Sequence, residues 1–152
     1  MGMDVIGNNG MTSFGLSWWQ WRPLANYCFE VAPDICNNSD HQGQWSFNDG
    51  SMTDSECKAL ATILQNEINS DRTKEYEKAR YLRIDAMTDE QCDLCKGTGT
   101  RNDKYTEFKD MVCNKCSGEG TVRPIESMYP FHTHTVQAFT DFLKTCGGFV
   151  LR

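Results

Sequence analysis

Two Cys-x-x-Cys pairs constrain this chain more than any other feature of its sequence. Cys92 and Cys95 form the first pair, Cys113 and Cys116 form the second, and seventeen residues lie between the pairs. This spacing is typical of a zinc site with four thiolate ligands in tetrahedral arrangement. Such a site is structural, because four protein ligands leave no position for water. The sequence therefore predicts one bound Zn²⁺.

A glycine pattern follows each pair in register. Gly97 and Gly99 come after the first pair, and Gly118 and Gly120 after the second, so the block reads CDLCKGTGTR and then CNKCSGEGTVR. A chain that folds closely around a metal turns sharply, and glycine adopts positive φ there without a Cβ clash. The absent side chains also let backbone N–H groups approach and orient the thiolates. The repetition favours a metal site over four unrelated buried thiols.

The repeated Cys-x-x-Cys-x-Gly-x-Gly block resembles the cysteine-rich domain of DnaJ-type (Hsp40) co-chaperones. That family usually carries four repeats and two zinc ions, whereas residues 92–120 hold two repeats and space for one ion. The chain has no His-Pro-Asp sequence, so it lacks the J-domain signature. The resemblance implies a zinc hairpin and protein binding. The whole chain, with its MGMDV, WWQWRPL and GGF segments, also resembles small proteins of phages and prophages.

The length of 152 residues suits one compact domain with an inserted module. We predict an α+β fold, in which a small helical domain with a minor β-sheet (residues 1–89 plus 124–152) carries a single-zinc β-hairpin (residues 90–123). The sequence shows no membrane-spanning apolar run and no signal-peptide pattern. We therefore expect a cytoplasmic protein, in the host cytoplasm if a phage encodes it, where Cys-x-x-Cys pairs bind metal and do not form disulfides.

The charge distribution bears on nucleic-acid binding. The net charge is −6, and residues 1–52 contribute −4, from five acids against one base. Residues 90–123 hold six acids and six bases. Because phosphate neutralisation supplies most nucleic-acid affinity, this balance disfavours such a partner. A local basic patch stays open as an alternative; its members would be Arg101, Lys104, Lys109, Lys115 and Arg123.

Apolar periodicity and end signals predict the secondary structure. Residues 3–6 and 149–151 read as strands that pair. Pro23 fits the first turn of a helix that ends before Pro33. Residues 37–51 read as a loop in which Trp45 and Phe47 alternate as in a short strand.

Three further helices follow. A capping box at residues 53–56 starts the first, and the second spans about residues 73–87. The predicted buried face of this second helix consists of Tyr76, Ala79, Leu82 and Met87. Thr133 or Thr135 caps the last helix, which Gly147 ends in the αL conformation.

Trp18, Trp19 and Trp21 lie within four residues and are followed by Arg22. They cannot all face one side of a helix or strand, so we expect at least one to be exposed or to line a groove. One interpretation is that they cap the core with Arg22 stacked beside them. The other is a binding surface for a protein, because Trp and Arg are typical interface anchors.

Other chemistry-bearing residues form weaker patterns. His132 and His134 lie two apart, which suits metal binding or proton transfer but equally suits polar residues at a helix start. Cys28, Cys36, His41 and Cys57 would be ligands of a second zinc, although their spacing is irregular.

The sequence favours a non-enzymatic, zinc-containing accessory protein. We expect it to bind a protein partner through the tryptophan cluster, the zinc hairpin, or both, with Trp18, Trp19, Trp21, Arg22, Arg101 and Lys104 as contact residues. The resemblance to phage proteins implies that the partner is a host factor or a defence component. Two alternatives remain: a nucleic-acid-binding zinc module, and a small-molecule or nucleotide-binding protein or enzyme that uses residues 18–22.

Overall fold

The structure is a computed structural model that describes residues 2–36, 50–101 and 110–152, and it divides into two compact units. The first, here the helical unit, comprises Met1–Arg80 and Tyr129–Arg152. The second, here the cysteine unit, comprises Tyr81–Met128 and includes the predicted zinc module. Helices combine with small antiparallel sheets, which confirms the predicted α+β class. The predicted strand around Trp45 and Phe47 lies outside the described residues.

In chain order, the described elements are β1 (Gly2–Gly7), β2 (Ser13–Ser17), α1 (Trp18–Val31), α2 (Pro33–Cys36), β3 (Ser51–Thr53), α3 (Asp54–Asn69), α4 (Arg72–Asp85), β4 (Glu90–Gln91), β5 (Thr121–Val122), a 3₁₀ helix (Ile125–Met128), α5 (Thr133–Thr145) and β6 (Gly148–Leu151).

The main sheet has the strand order β2-β1-β6-β3, and all its pairs are antiparallel. The predicted pairing of the two terminal segments is confirmed, with Val5 opposite Leu151. Met3 and Val5 alternate with exposed neighbours along β1 and are fully buried, as a strand with one covered face requires. Phe149 of β6 is buried on the sheet as well. The sheet thus joins the two ends of the chain.

Helices α1, α3 and α5 supply most of the remaining core. Trp21 meets Phe139 edge-to-face at 5.7 Å between ring centroids. Leu60 and Leu64 of α3 are fully buried, and the predicted capping box at Thr53 and Glu56 is present. The apolar spacing of the last helix predicts one buried face, and this is confirmed: Val136, Phe139, Leu143 and Cys146 are fully buried. Gly147 follows that helix at a φ of 68°. Burial of these apolar side chains provides the main driving force for folding of the unit.

Helix α1 begins earlier than predicted, at Trp18 and not near Pro23. Its start is fixed by a capping box: the Ser17 hydroxyl accepts from the Gln20 N–H at 3.3 Å, and the Ser17 N–H donates to the Gln20 side chain at 3.4 Å. This Ser-x-x-Gln pattern is a known helix-start signal. Pro23 lies inside the helix, and the helix still ends at Val31, as expected.

Helix α4 spans Arg72–Asp85, slightly short of the predicted 73–87, and its predicted buried face is only partly right. Tyr76 is half-buried and packs against the core, as predicted. Ala79 and Leu82 are exposed, and Leu82 retains 62% of its accessible surface. The buried members of the helix are Thr73, Arg80 and Ile84.

Polar contacts select this buried side of α4. Thr73 Oγ1 shares a buried hydrogen bond of 2.9 Å with the hydroxyl of Tyr27. Arg80 donates to the carbonyl of Tyr129 at 2.8 Å. Burial raises the pKa of Tyr27 to about 12. A hydrophobic pattern alone could not reveal a face chosen by distant hydrogen-bond partners.

The predicted caps of α5 are also wrong, because the N-cap is His132 and it makes no side-chain capping bond. The acceptor comes instead from α4. The Glu77 carboxylate accepts from Thr133 N at 2.8 Å and from Thr133 Oγ1 at 2.6 Å. His132 Nδ1 lies 3.2 Å from the other carboxylate oxygen. A carboxylate at a helix N-terminus accepts hydrogen bonds from otherwise unpaired N–H groups and interacts favourably with the positive end of the helix dipole.

We predict that Glu77→Gln lowers the free energy of unfolding by about 1–2 kcal/mol at pH 7, because α5 loses a charged cap. Burial raises the pKa of Glu77, but the hydrogen bonds from Thr133 and His132 outweigh it and hold the pKa below its ordinary 4.5. This contribution is therefore complete above pH 4.5 and is lost as the pH falls through the lowered value. Urea denaturation at pH 7 and at acidic pH measures the difference.

Glu75→Gln is the matched control, since Glu75 is an exposed carboxylate on the same helix. We expect it to cost only a few tenths of a kcal/mol. Equal effects of the two substitutions, or a Glu77 effect that persists at acidic pH, would contradict this account of the cap.

Candidate metal centre

Four buried thiols meet in the cysteine unit. The Sγ atoms of Cys92, Cys95, Cys113 and Cys116 all lie within 4.8 Å of one another. The Cys92–Cys113 and Cys95–Cys116 separations are 3.8 and 3.7 Å. Zinc–sulfur bonds of about 2.3 Å in a tetrahedron place the sulfurs about 3.8 Å apart. The cluster can therefore hold one metal ion, and its dimensions suit a tetrahedral one.

The two Cys-x-x-Cys halves exchange equivalent backbone hydrogen bonds. Cys92 N donates to the carbonyl of Gly120 at 2.9 Å, and Cys113 N donates to that of Gly99 at 2.8 Å. Within each half, the last glycine N–H points at the second cysteine: Gly99 N lies 3.3 Å from Cys95 Sγ, and Gly120 N lies 3.2 Å from Cys116 Sγ. The sequence repeat has thus become an approximate twofold repeat in structure, and its N–H groups orient the thiolates.

Two glycines mark where the halves approach most closely. A Cβ at Gly99 would lie 2.3 Å from the carbonyl oxygen of Gly118, and a Cβ at Gly120 would lie 2.5 Å from that of Gly97. Both positions also have positive φ, 75° and 78°. Side chains fit neither the space nor the backbone conformation there. The glycines are therefore required by the cluster itself.

Ionisation of the thiols is uneven. Burial raises the pKa of Cys95, but the N–H groups of Gly99 and Gly97 and the neighbouring thiols outweigh it and bring the pKa to about 6. Burial raises the pKa of Cys116 to about 11. The two sulfurs lie 3.7 Å apart, within reach of a thiol–thiolate hydrogen bond. A bound divalent cation would displace thiol protons, as metal binding to thiols does.

Short strands and an ion pair hold the surroundings of the cluster. Strands β4 and β5 pair antiparallel, and a further bridge joins Thr100 to Val112. Lys115 Nζ lies 2.6 Å from the carboxylate of Asp93. These contacts connect the two halves on either side of the thiols.

The candidate basic patch is largely committed to internal contacts. Lys115 is paired as described, and Arg101 Nη1 lies 3.4 Å from the side-chain oxygen of Asn114. Arg123 donates to the carbonyls of Met87 and Ile84, both at 2.8 Å. Lys104 and Lys109 lie outside the described residues.

The three clustered tryptophans have different environments. Trp21 is fully buried, and Trp18 is half-buried against the core. Trp19 keeps 40% of its surface exposed, which confirms that at least one tryptophan is exposed. Its ring lies 5.0 Å from that of Tyr129. Arg22 stacks over Tyr129 at 5.4 Å and donates to its hydroxyl at 3.2 Å. The sequence did not indicate Tyr129, which is 110 positions from Trp19.

The remaining cysteines are buried thiols. Burial raises the pKa of Cys28 well above its ordinary value and that of Cys36 to about 12. Burial raises the pKa of Cys57 as well, with Cys146 beside it. Outside the four-cysteine cluster, the described residues contain no other group of three potential metal ligands. His41, the remaining residue of the alternative second site, lies outside the described residues.

His132 and His134 lie together at the start of α5, with their rings stacked at 5.1 Å. Glu77 is the carboxylate partner of His132. None of the helices in the described ranges is long and apolar enough to cross a membrane.

The chain matches no protein-family model, no curated protein and no solved structure with which it was compared.

We predict that Gly99→Ala weakens binding of a divalent metal by about 10–100-fold, because the methyl group would push the two halves apart and displace the N–H that orients Cys95. Competition with a chromophoric chelator measures the affinity. Gly10→Ala is the control: its φ is 69°, but no atom lies within 4 Å of the added Cβ. Metal binding by Gly99→Ala at wild-type affinity would contradict the proposed role of the close approach.

Proposed function

We propose that Cys92, Cys95, Cys113 and Cys116 bind one structural Zn²⁺. Sulfur separations of 3.7 and 3.8 Å support this, since they equal the edge expected for a zinc–thiolate tetrahedron. Zinc prefers thiolates, and four of them complete its coordination. When bound, the ion would cross-link the two halves of the cysteine unit and would leave no site for catalysis. The resemblance to DnaJ-type zinc repeats agrees with this role.

The function that we infer is non-enzymatic binding of a protein partner. The observation that carries this inference is the cluster of Trp19, Arg22 and Tyr129 in the helical unit, in which Trp19 and Arg22 are exposed and Tyr129 is half-buried. Trp, Tyr and Arg dominate the energetics of protein interfaces because they combine large contact area with directional polar groups. No described carboxylate pairs with Arg22, so its charge is available to a partner. On the same helix, Trp21 is buried in the core and Trp18 is half-buried against it.

The proposal assigns no catalytic residue. The thiols outside the cluster are buried, and burial raises the pKa of Cys28 and Cys36, which suppresses thiolate nucleophiles. Eight unpaired thiols also suit a reducing compartment, and this supports the cytoplasmic placement that we propose. The resemblance to phage proteins is what supports a host factor or defence component as the partner.

Affinity capture from bacterial lysate tests the binding proposal. We expect a retained protein to be reduced about tenfold by Trp19→Ala, because an exposed aromatic anchor is lost. Nuclease treatment of the lysate should not change the result. Met11→Ala is the matched control, since Met11 is 91% exposed but lies in a different turn of the same unit.

A second variant, Cys92→Ser with Cys113→Ser, removes two of the four metal ligands. We expect it to unfold the cysteine unit and leave the helical unit folded, because metal binding supplies local folding energy. If the partner is lost only with this variant, the binding surface lies in the cysteine unit and not at Trp19. Equal retention by wild type and all variants, or retention abolished by nuclease, would contradict the proposed function.

A further inference from the structure

The cysteine unit contains a groove beside the thiol cluster. Its volume is about 860 Å³, and Cys116 and Ser117 form part of its wall. Strand β5 contributes Val122, and the 3₁₀ helix contributes Ile125 and Met128. Every residue that lines the groove belongs to this one unit.

The apolar side of the groove is exposed to an unusual degree. Ile125 and Met128 retain 63% and 58% of their accessible surface. In a 3₁₀ helix, residues i and i+3 project on the same side, so these two side chains form one contiguous patch. Exposed apolar side chains also concentrate in this unit, which holds five of the seven large ones among the described residues: Leu82, Met111, Val112, Ile125 and Met128. Such concentration marks interaction surfaces.

The charged groups of the groove that have no internal partner within the described part of the chain are all negative. Lys115 and Asp93 neutralise each other at 2.6 Å. The guanidinium of Arg123 is committed to backbone carbonyls and to Asp89 at 3.4 Å. The remaining charged residues that line the groove are the exposed carboxylates of Glu90 and Glu119, for which the described residues supply no cationic partner.

We propose that this groove binds a short segment of a protein partner that carries both apolar and basic side chains. Apolar side chains of the segment would cover Val122, Ile125 and Met128, and its Lys or Arg groups would pair with Glu90 and Glu119. Charge complementarity selects a basic segment over an acidic one, because like charges at an interface are repelled. The inference rests on the proposed protein-binding function and adds to it the chemistry of the partner.

Fluorescence anisotropy with labelled synthetic peptides tests this proposal on the zinc-loaded full chain. One peptide alternates Leu with Lys, a second alternates Leu with Glu, and a third alternates Ser with Lys. We expect only the Leu–Lys peptide to bind tightly. Ile125→Ser with Met128→Ser should weaken its binding about tenfold, because most of the apolar contact is lost. Both side chains are exposed, so the variant should fold, and its metal content checks this.

The double substitution Glu90→Gln with Glu119→Gln tests whether the two carboxylates contribute to peptide binding. We expect weaker binding and a smaller dependence on salt, since salt screens exposed ion pairs. Met11→Ser should bind the peptide as the wild type does, because Met11 is exposed in the helical unit. Equal binding of the Leu–Glu or Ser–Lys peptide, absence of Leu–Lys binding, or wild-type binding by either groove variant would overturn the proposal.

The lysate capture distinguishes failure of the groove proposal from failure of the proposed protein-binding function. A partner lost from Trp19→Ala but retained by both groove variants would reject the groove and leave the protein-binding function standing. If no partner is retained and no peptide binds, both are rejected.

Discussion

The reciprocal contact between the two Cys-x-x-Cys halves is the interaction on which the cysteine unit depends. Each half gives a cysteine N–H to a glycine carbonyl of the other, and each brings two thiols to a common centre. Among the described residues, the buried cluster around this contact consists of the four thiols, with Leu94 and Val122 packed beside them. Small units often gain folding energy from a bound metal, and a four-thiolate site is a frequent source.

The helical unit is stabilised differently. Its sheet brings the two ends of the chain together, and its core is a continuous apolar cluster from three long helices. Polar groups then fix the details: Ser17 sets the start of α1, and Glu77 of α4 caps α5. The exposed Trp19 and the half-buried Tyr129 therefore lie on a packed scaffold, as the binding surface that we propose requires.

Local signals in the sequence predicted local structure well. The cysteine repeat places all four potential ligands, and the Thr53–Glu56 box and the apolar spacing of α5 agree with the structure. The Ser17–Gln20 box that starts α1 is a local signal of the same kind, but Pro23, which is typical of a first helical turn, predicts a later start. The predictions that are wrong concern hydrogen bonds between residues far apart in sequence. The Glu77 cap and the Arg80 contact with Tyr129 depend on packing that no periodicity encodes.

We propose above all that the four cysteines bind one zinc ion. Zinc K-edge X-ray absorption on the purified protein tests this, because it reports the type, number and distance of the ligand atoms. We expect four sulfur ligands at about 2.3 Å. A first shell with fewer than four sulfurs, or with nitrogen or oxygen among the ligands, would contradict it.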